Sequence, residues 1–380
     1  MKRIAIIGTA GVPARYGGFE TLAEQLVNTL SNQYSFIVYC TKSLYTKEER
    51  SKSNNENFKH LYLPLQANGK SSILYDFVSM LHAIFYADIL LVLGVSGAIL
   101  FPVLRLFTNK KLIVNIDGIE WRRDKWKGIA KWYLKLSERV AVNYAHTCIA
   151  DNKAIQDYVF ETYHKNAILA EYGADHTMQQ QFSAELKRKY PFIYLPYAFV
   201  VCRIEPENNT HLILEAFSKD PTKQLVIVGN WENSLYGKAL LDKYSQTLNI
   251  HLLGPIYEQV TLNMLRSNCF VYIHGHSAGG TNPSLIEAMY LGLPILAFDV
   301  SYNRESTENK AHYFENVQTL TTQLKTLRLN DLMENGKNMK EIADRRYRWE
   351  IIAAKYNDMF TTAIKKKREK KSLVMQNQIG

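Results

Sequence analysis

The segment HGHSAGGTNPSLIEAMYLGLPILAF, residues 274–298, carries the strongest chemical signal in this chain. It reads as a strand end, a loop of Gly, Ser, Thr and Asn, and a helix that starts near Pro283 and carries Glu287. The first turn of a helix leaves backbone N–H groups unpaired and gathers partial positive charge, so the amides of residues 280–284 suit a diphosphate. Glu287 lies about one turn further in, where a carboxylate can accept hydrogen bonds from ribose hydroxyls. Alone, Glu287 also fits a surface helix carboxylate; the loop before it and the Gly292-Leu293-Pro294 turn after it favour a binding role. In VVCRIEPENN, residues 200–209, Arg203 follows a strand. Its planar fork can meet two phosphate oxygens, or it forms a surface pair with a neighbouring glutamate.

Two further motifs lie nearer the N-terminus. GTAGVPARYGGFET, residues 8–21, is a glycine-rich loop between the first strand and a helix. Its glycines let backbone approach a ligand. It is not GxGxxG and has no GK[ST], which counts against NAD and P-loop ATP binding. A flexible strand-to-helix turn is the plainer alternative, yet Arg15 and Tyr16 look more like ligand contacts than packing. In NIDGIEWRRDKW, residues 115–126, Asp117 ends a strand. It is placed to take a proton from a hydroxyl, or to cap the next helix. From Trp121 to Lys135, cations alternate with amphipathic aromatics. That mixture suits a membrane interface and equally a solvated helix face with core tryptophans.

These residues need strand ends to hold them. Strands are predicted at 3–7, 36–40, 58–63, 89–93, 112–116 and 147–150, with helices at 20–30, 71–86 and 128–144. A second alternation places strands at 198–202, 225–229, 250–253, 269–273 and 294–298. Its helices fall at 209–217, 238–248, 257–268 and 283–290. Alternation of this kind implies parallel sheets with ligands at the carboxyl ends of the strands. The uncharged run 89–104 is divided by Gly94, Ser96, Gly97 and Pro102, and reads as a buried strand, a turn and an apolar helix, too short to span a bilayer.

The chain has 380 residues, enough for two α/β domains, and a net charge of +10, which favours anionic partners. The opening MKRIAIIGTAG reads as a first strand, not a signal segment. Cys40, Cys148, Cys202 and Cys269 lie far apart, which fits a reducing compartment and counts against a structural zinc site. The cations gather at one helix and in the tail IKKKREKKS, residues 364–372, without a nucleic-acid-binding motif.

Taken together, GTAGVPARYGGFET, NIDGIEW, RIEPENN and GGTNPSLIEAM resemble glycosyltransferase family 4 over nearly the whole chain, and within it the bacterial rhamnosyltransferase branch of surface polysaccharide synthesis. The resemblance implies the α/β GT-B fold: two Rossmann-like domains facing a cleft, at 1–178 for the acceptor and 195–348 for the nucleotide sugar. The remainder, 349–380, would be a helix crossing back to the first domain and a basic tail. It implies Asp117 and Arg203 as catalytic residues. Donor contacts would come from Gly17, Gly18, Arg203, Asn208, Gly279, Gly280, Thr281, Asn282, Ser284 and Glu287. Acceptor contacts would come from Arg15, Tyr16, Glu120, Trp121 and Arg122. Neither a metal nor a cofactor is implied. The expected donor is dTDP-L-rhamnose. The expected acceptor is a lipid-diphosphate-linked saccharide at the cytoplasmic, anionic face of the cell membrane.

The chain departs from the wider family's pattern in two places. Gly279 stands where that family has the first of two glutamates, and Asn208 where it often has Lys. A UDP-hexose or UDP-HexNAc donor is the alternative within transferases. A sugar-nucleotide 2-epimerase shares the architecture but has little use for the basic aromatic helix. A non-enzymatic basic membrane-binding protein is the remaining reading.

Overall fold

The computed structural model describes residues 1–15, 17–52, 57–123 and 126–376, and the side chains of Lys52, Lys70 and residues 366–376 fall outside that description. Tyr16, Lys125 and the tail side chains Lys366, Lys367, Arg368, Lys370 and Lys371 therefore lie outside the described residues.

The chain forms two compact units. The first is built from Met1–Trp121, Trp126–Glu171 and the helix that begins at Trp349; the second is built from Arg122–Lys125 and Tyr172–Arg348. Seven strands make the first sheet: β1 (Lys2–Ile7), β2 (Tyr34–Thr41), β3 (Phe58–Leu63), β4 (Ile89–Leu93), β5 (Lys111–Asn115), β6 (Thr147–Ala150) and β7 (Ile168–Leu169). Their order is β3-β2-β1-β4-β5-β6-β7, and every pairing is parallel. The central strands are apolar without alternation, and all five residues of β4 are buried. That is how a strand covered on both faces must read.

The second sheet holds β8 (Tyr197–Val201), β9 (Gln224–Val228), β10 (Ile250–Leu253), β11 (Val271–His274), β12 (Ile295–Phe298) and β13 (His312–Phe314). Its order is β10-β9-β8-β11-β12-β13, also all parallel. In each sheet the order reverses once, between β1 and β4 and between β8 and β11. Ligands of open parallel sheets bind at such switch points. All four expected motifs follow a strand: the loops after β1 and β5 in the first unit, and after β8 and β11 in the second.

The last helix, Trp349–Gln376, takes in the stretch 364–372 that reads as a basic tail. Trp349, Ile352, Tyr356, Met359, Phe360 and Ala363 recur every three or four residues and are buried. They pack into the first unit, where Tyr34 donates to Asn357 Oδ1 at 2.7 Å and Asn115 Nδ2 donates to Tyr356 at 3.4 Å.

Beside the β1–β4 switch point, on helix Ser72–Tyr86, Asp76 is 1% exposed. One of its oxygens accepts from the Ser96 hydroxyl; the other has no partner among the described residues. Burial pushes its pKa up to about 7, against the pull of Ser96 and the Gly97 amide. An acid raised in this way stabilises the fold only while protonated. Its contribution is complete below 3.8 and is lost as pH climbs through about 7. Asp76→Asn, neutral throughout, should therefore gain on the parent protein with rising pH, by roughly 2–4 kcal/mol at the alkaline end. Unfolding curves at acidic and alkaline pH check this, and a pH-independent difference between the two proteins contradicts it.

Candidate functional site

The second unit's site is built from the loops after β8 and β11, which are neighbouring strands. The two loops are locked to each other through backbone oxygens. Ser277 donates its amide (2.8 Å) and its hydroxyl (2.9 Å) to the Glu207 carbonyl. Asn209 Nδ2 donates to the Gly275 carbonyl at 2.9 Å. A Cβ on Gly275 would sit 2.2 Å from the Asn208 carbonyl oxygen, so only glycine allows this approach.

Arg203 leads the first loop, and its exposed guanidinium has no side-chain partner among the described residues. The backbone beneath it is fixed, because Asn208 Nδ2 donates to the Arg203 carbonyl at 2.6 Å. Asn208 is itself 1% exposed, and its Oδ1 has no partner among the described residues. Its amide thus serves the turn, and the expected donor contact falls to an atom buried behind Arg203. The imidazoles of His274 and His276 stack beside these loops, 4.4 Å apart. Burial pushes His274 down to about 3. His276 is driven well down by burial, then by its neighbour and by the Arg203 charge. Both rings are therefore held neutral.

The second loop enters helix Pro283–Tyr290 through Asn282. Asn282 Oδ1 accepts from both the amide (3.1 Å) and the hydroxyl (2.9 Å) of Ser284. The expectation of free amides across 280–284 needs correction here. Pro283 has no N–H, and Ser284 has committed its own to the cap. The amides of Gly280 and Asn282 keep no partner among the described residues. Gly279 has φ +124° and nothing near its absent side chain, so the space a side chain would take there is open. Thr281, expected as a donor contact, is 3% exposed.

Glu287 has two partners that sequence reasoning missed. Arg266 Nη1 lies 2.6 Å from Oε2 and His176 Nε2 lies 3.2 Å from Oε1. Arg266 is 2% exposed and ends helix Gln259–Ser267. His176 belongs to the segment between Tyr172 and β8. That segment is stitched to the same helix end, since Gln180 exchanges bonds with the Ser267 hydroxyl at 3.1–3.2 Å and accepts from Asn268 at 2.7 Å. Burial alone would raise the Glu287 pKa, but Arg266 and His176 outweigh it and hold the carboxyl below the usual range. A carboxylate offers about four acceptor sites, so two remain for a ligand.

The first unit gathers the other expected residues at its own strand ends. Glu20, 6% exposed, accepts from the Ala10 amide at 2.7 Å and from Thr9 at 3.3 Å, pinning the glycine-rich loop to the helix that follows Gly17 and begins at Gly18. Arg15 lies over the Tyr45 ring and pairs with Glu49 on the surface. Asp117 takes a left-handed backbone, φ 62°, just beyond β5, and its amide donates to Asn115 Oδ1 at 3.0 Å. That conformation costs a non-glycine residue on the order of 1 kcal/mol and points to a constraint beyond packing.

Glu120 accepts from Trp126 Nε1 at 2.9 Å. Trp121 donates to the buried Glu138 at 3.3 Å, alongside Tyr158 and Tyr163 at 2.6 Å. The polar atoms of Glu120 and Trp121 are thus engaged within the protein, while Arg122, which belongs to the second unit, is exposed. Among the described residues, no group of three His, Cys, Asp or Glu is arranged to hold a metal ion.

Residues 184–349 match the family model described as glycosyl transferases group 1, and residues 1–175 match a domain of unknown function, DUF1972. Among solved structures, the chain is similar to sucrose-phosphate synthase from Thermosynechococcus elongatus, at 15% identity and a TM-score of 0.79, covering 96% of this chain and 99% of that one. It is also similar to Alr3699/HepE of Anabaena in complex with UDP-glucose, at 13% identity and a TM-score of 0.74, covering 95% and 100%. A glycosyltransferase from Rickettsia africae gives 14% and 0.70, covering 96% and 99%. The fold is therefore GT-B, and the match to the glycosyl transferases group 1 model falls on residues 184–349.

The Arg266–Glu287 pair yields a prediction. Arg266→Met removes the only guanidinium beside Glu287 among the described residues, leaving His176 as its partner, and should cost roughly 3–5 kcal/mol. Adding Glu287→Gln removes the carboxylate charge and should recover part of that loss. Urea unfolding of the parent, both single variants and the double variant measures the coupling. Strictly additive losses would show that the two residues do not support each other.

Proposed function

We propose that this protein transfers a sugar from a nucleoside-diphosphate donor, bound by the second unit, to a hydroxyl of an acceptor bound by the first. One observation carries the reading: Arg203, the amides of Gly280 and Asn282, and the ionised Glu287 all have unused hydrogen-bonding capacity on two loops locked at one switch point. Arg203 and the free amides offset the charge that grows on the departing diphosphate, a role that positive groups perform without a metal. Glu287 accepts from the ribose hydroxyls, its position fixed by Arg266 and His176. In the first unit Asp117 orients or deprotonates the acceptor hydroxyl. Arg15, Tyr16 and Arg122 are assigned as acceptor contacts, and Gly17 and Gly18 as donor contacts.

The favoured donor is dTDP-L-rhamnose. Two points support it: the resemblance of the four motifs to the rhamnosyltransferase branch, and the open space at Gly279, since a 6-deoxy sugar has one hydroxyl fewer to bind. The Anabaena protein with UDP-glucose favours the second reading, a UDP-hexose donor. The acceptor is a lipid-diphosphate-linked saccharide of bacterial surface polysaccharide synthesis, met at the cytoplasmic face of the cell membrane.

A transfer assay with one acceptor and several donors tests the proposal. dTDP-rhamnose should react faster than UDP-glucose or UDP-GlcNAc, and the reverse order replaces the rhamnose reading with the UDP-hexose one. Asp117→Asn should abolish transfer while leaving nucleotide affinity intact. Glu287→Ala should weaken nucleoside diphosphate binding by about 1.5–3 kcal/mol, read by calorimetry. Normal transfer by the first variant or normal affinity in the second removes that residue from the mechanism.

A further inference from the structure

The first unit's strand order steps in one direction from β3 to β4, from β4 to β5, from β5 to β6 and from β6 to β7. Right-handed crossovers therefore put four helices on one face of the sheet: Ser72–Tyr86, Phe101–Phe107 and Gly128–Tyr144, and then Lys153–Tyr163 towards the β7 edge. The opposite face takes Gly18–Leu30 and the returning helix, which pack on each other.

The outer surface of the first three helices of this layer is inverted relative to an ordinary protein surface. On Ser72–Tyr86 the polar residues Asp76 and Ser79 are buried, whereas Leu74, Val78, Leu81 and Phe85 recur at helical spacing on the exposed side. Leu106 and Phe107 on the second helix are each 77% exposed, and Ile129 and Trp132 on the third are 84% and 65% exposed. Scattered exposed apolar residues are ordinary, but a set spread over three adjacent helices marks an interaction surface.

The charge on the first three helices is one-sided. Their only carboxylates, Asp76 and Glu138, are each 1% exposed. Their cations, Arg105, Lys131, Lys135 and Arg139, all face solvent. The fourth helix, at the edge, adds Asp157, paired with Lys153, and the exposed Glu161. A second copy docking through the same face about a two-fold axis would set cations against cations. An anionic bilayer meets both features at once: apolar tips enter the acyl boundary and cations lie at the headgroups. No described helix is long and apolar enough to cross a membrane, so contact of this kind is in-plane.

We infer that this three-helix face seats the protein on a bilayer surface rich in anionic lipid. The inference deepens the lipid-linked acceptor reading above. Its test is binding alone, so a failure here leaves the transfer chemistry untouched.

The full chain is sedimented with vesicles of phosphatidylcholine, with and without phosphatidylglycerol. The parent protein should bind the anionic vesicles. The exposed-site variant Phe85→Ser/Leu106→Ser/Phe107→Ser and the charge variant Lys131→Glu/Arg139→Glu should each lose about tenfold or more in binding. Leu248→Ser, at a 95% exposed position in the second unit, should bind as the parent does. Unchanged thermal midpoints confirm that all variants fold. Two results overturn the inference: full vesicle binding by both face variants, which leaves the tail as the contact, or no binding by the parent. A parent dimer that the serine variant turns into monomers, without vesicle binding, assigns the face to a second copy instead.

Discussion

A guanidinium that is 2% exposed must find a carboxylate, and in this protein Arg266 finds Glu287 at 2.6 Å. Taking both charges out of water costs several kcal/mol each, and their attraction repays this only with good geometry and further hydrogen bonds. The pair is therefore weak evidence for stability and strong evidence for placement. Arg266 ends one helix and Glu287 sits inside another, so the pair sets the register between them. The stitch from Gln180 to Ser267 and Asn268 adds the segment that carries His176. The outcome is a carboxylate held ionised, one turn beyond an anion-attracting helix start, with lone pairs left over.

The second constraint is close approach of backbones at the switch points. Gly275 leaves no room for a side chain beside the Asn208 carbonyl, and Gly8 would meet the Leu93 carbonyl at 2.0 Å. In both sheets the first strand and its crossover neighbour come so near that the following loops share one platform. This is where parallel strands direct their free carboxyl ends, and all the side chains of the donor reading stand on one such platform.

Much of this was legible in the sequence because buried parallel strands read as short apolar runs and binding loops as glycine-rich breaks after them. The residues missed were missed for physical reasons. Arg266 looks like an ordinary basic residue in the last turn of an amphipathic helix, where it would favour the dipole from the surface. His176 lies in a stretch without periodicity, ordered only by side-chain bonds to a distant helix. β7 and β13 have two and three residues, too few to show a period. The helix at 238–248 instead begins at Leu235, because Ser234 accepts from the Gly237 amide at 3.0 Å. Helix Ser72–Tyr86 was placed correctly, but its apolar outer side reads from sequence like a buried one. Only solvent exposure separates the two.

The central claim is that a nucleoside diphosphate binds the second unit on the loops after β8 and β11. Hydrogen exchange of the full chain, with and without dTDP, tests it without a substitution or an acceptor. The claim predicts slowed exchange at Gly280, Asn282 and the 203–209 loop, with the Ser284 amide already slow because Asn282 caps it. Protection confined to residues 8–18 of the first unit, or protection nowhere at saturating nucleotide, would contradict it.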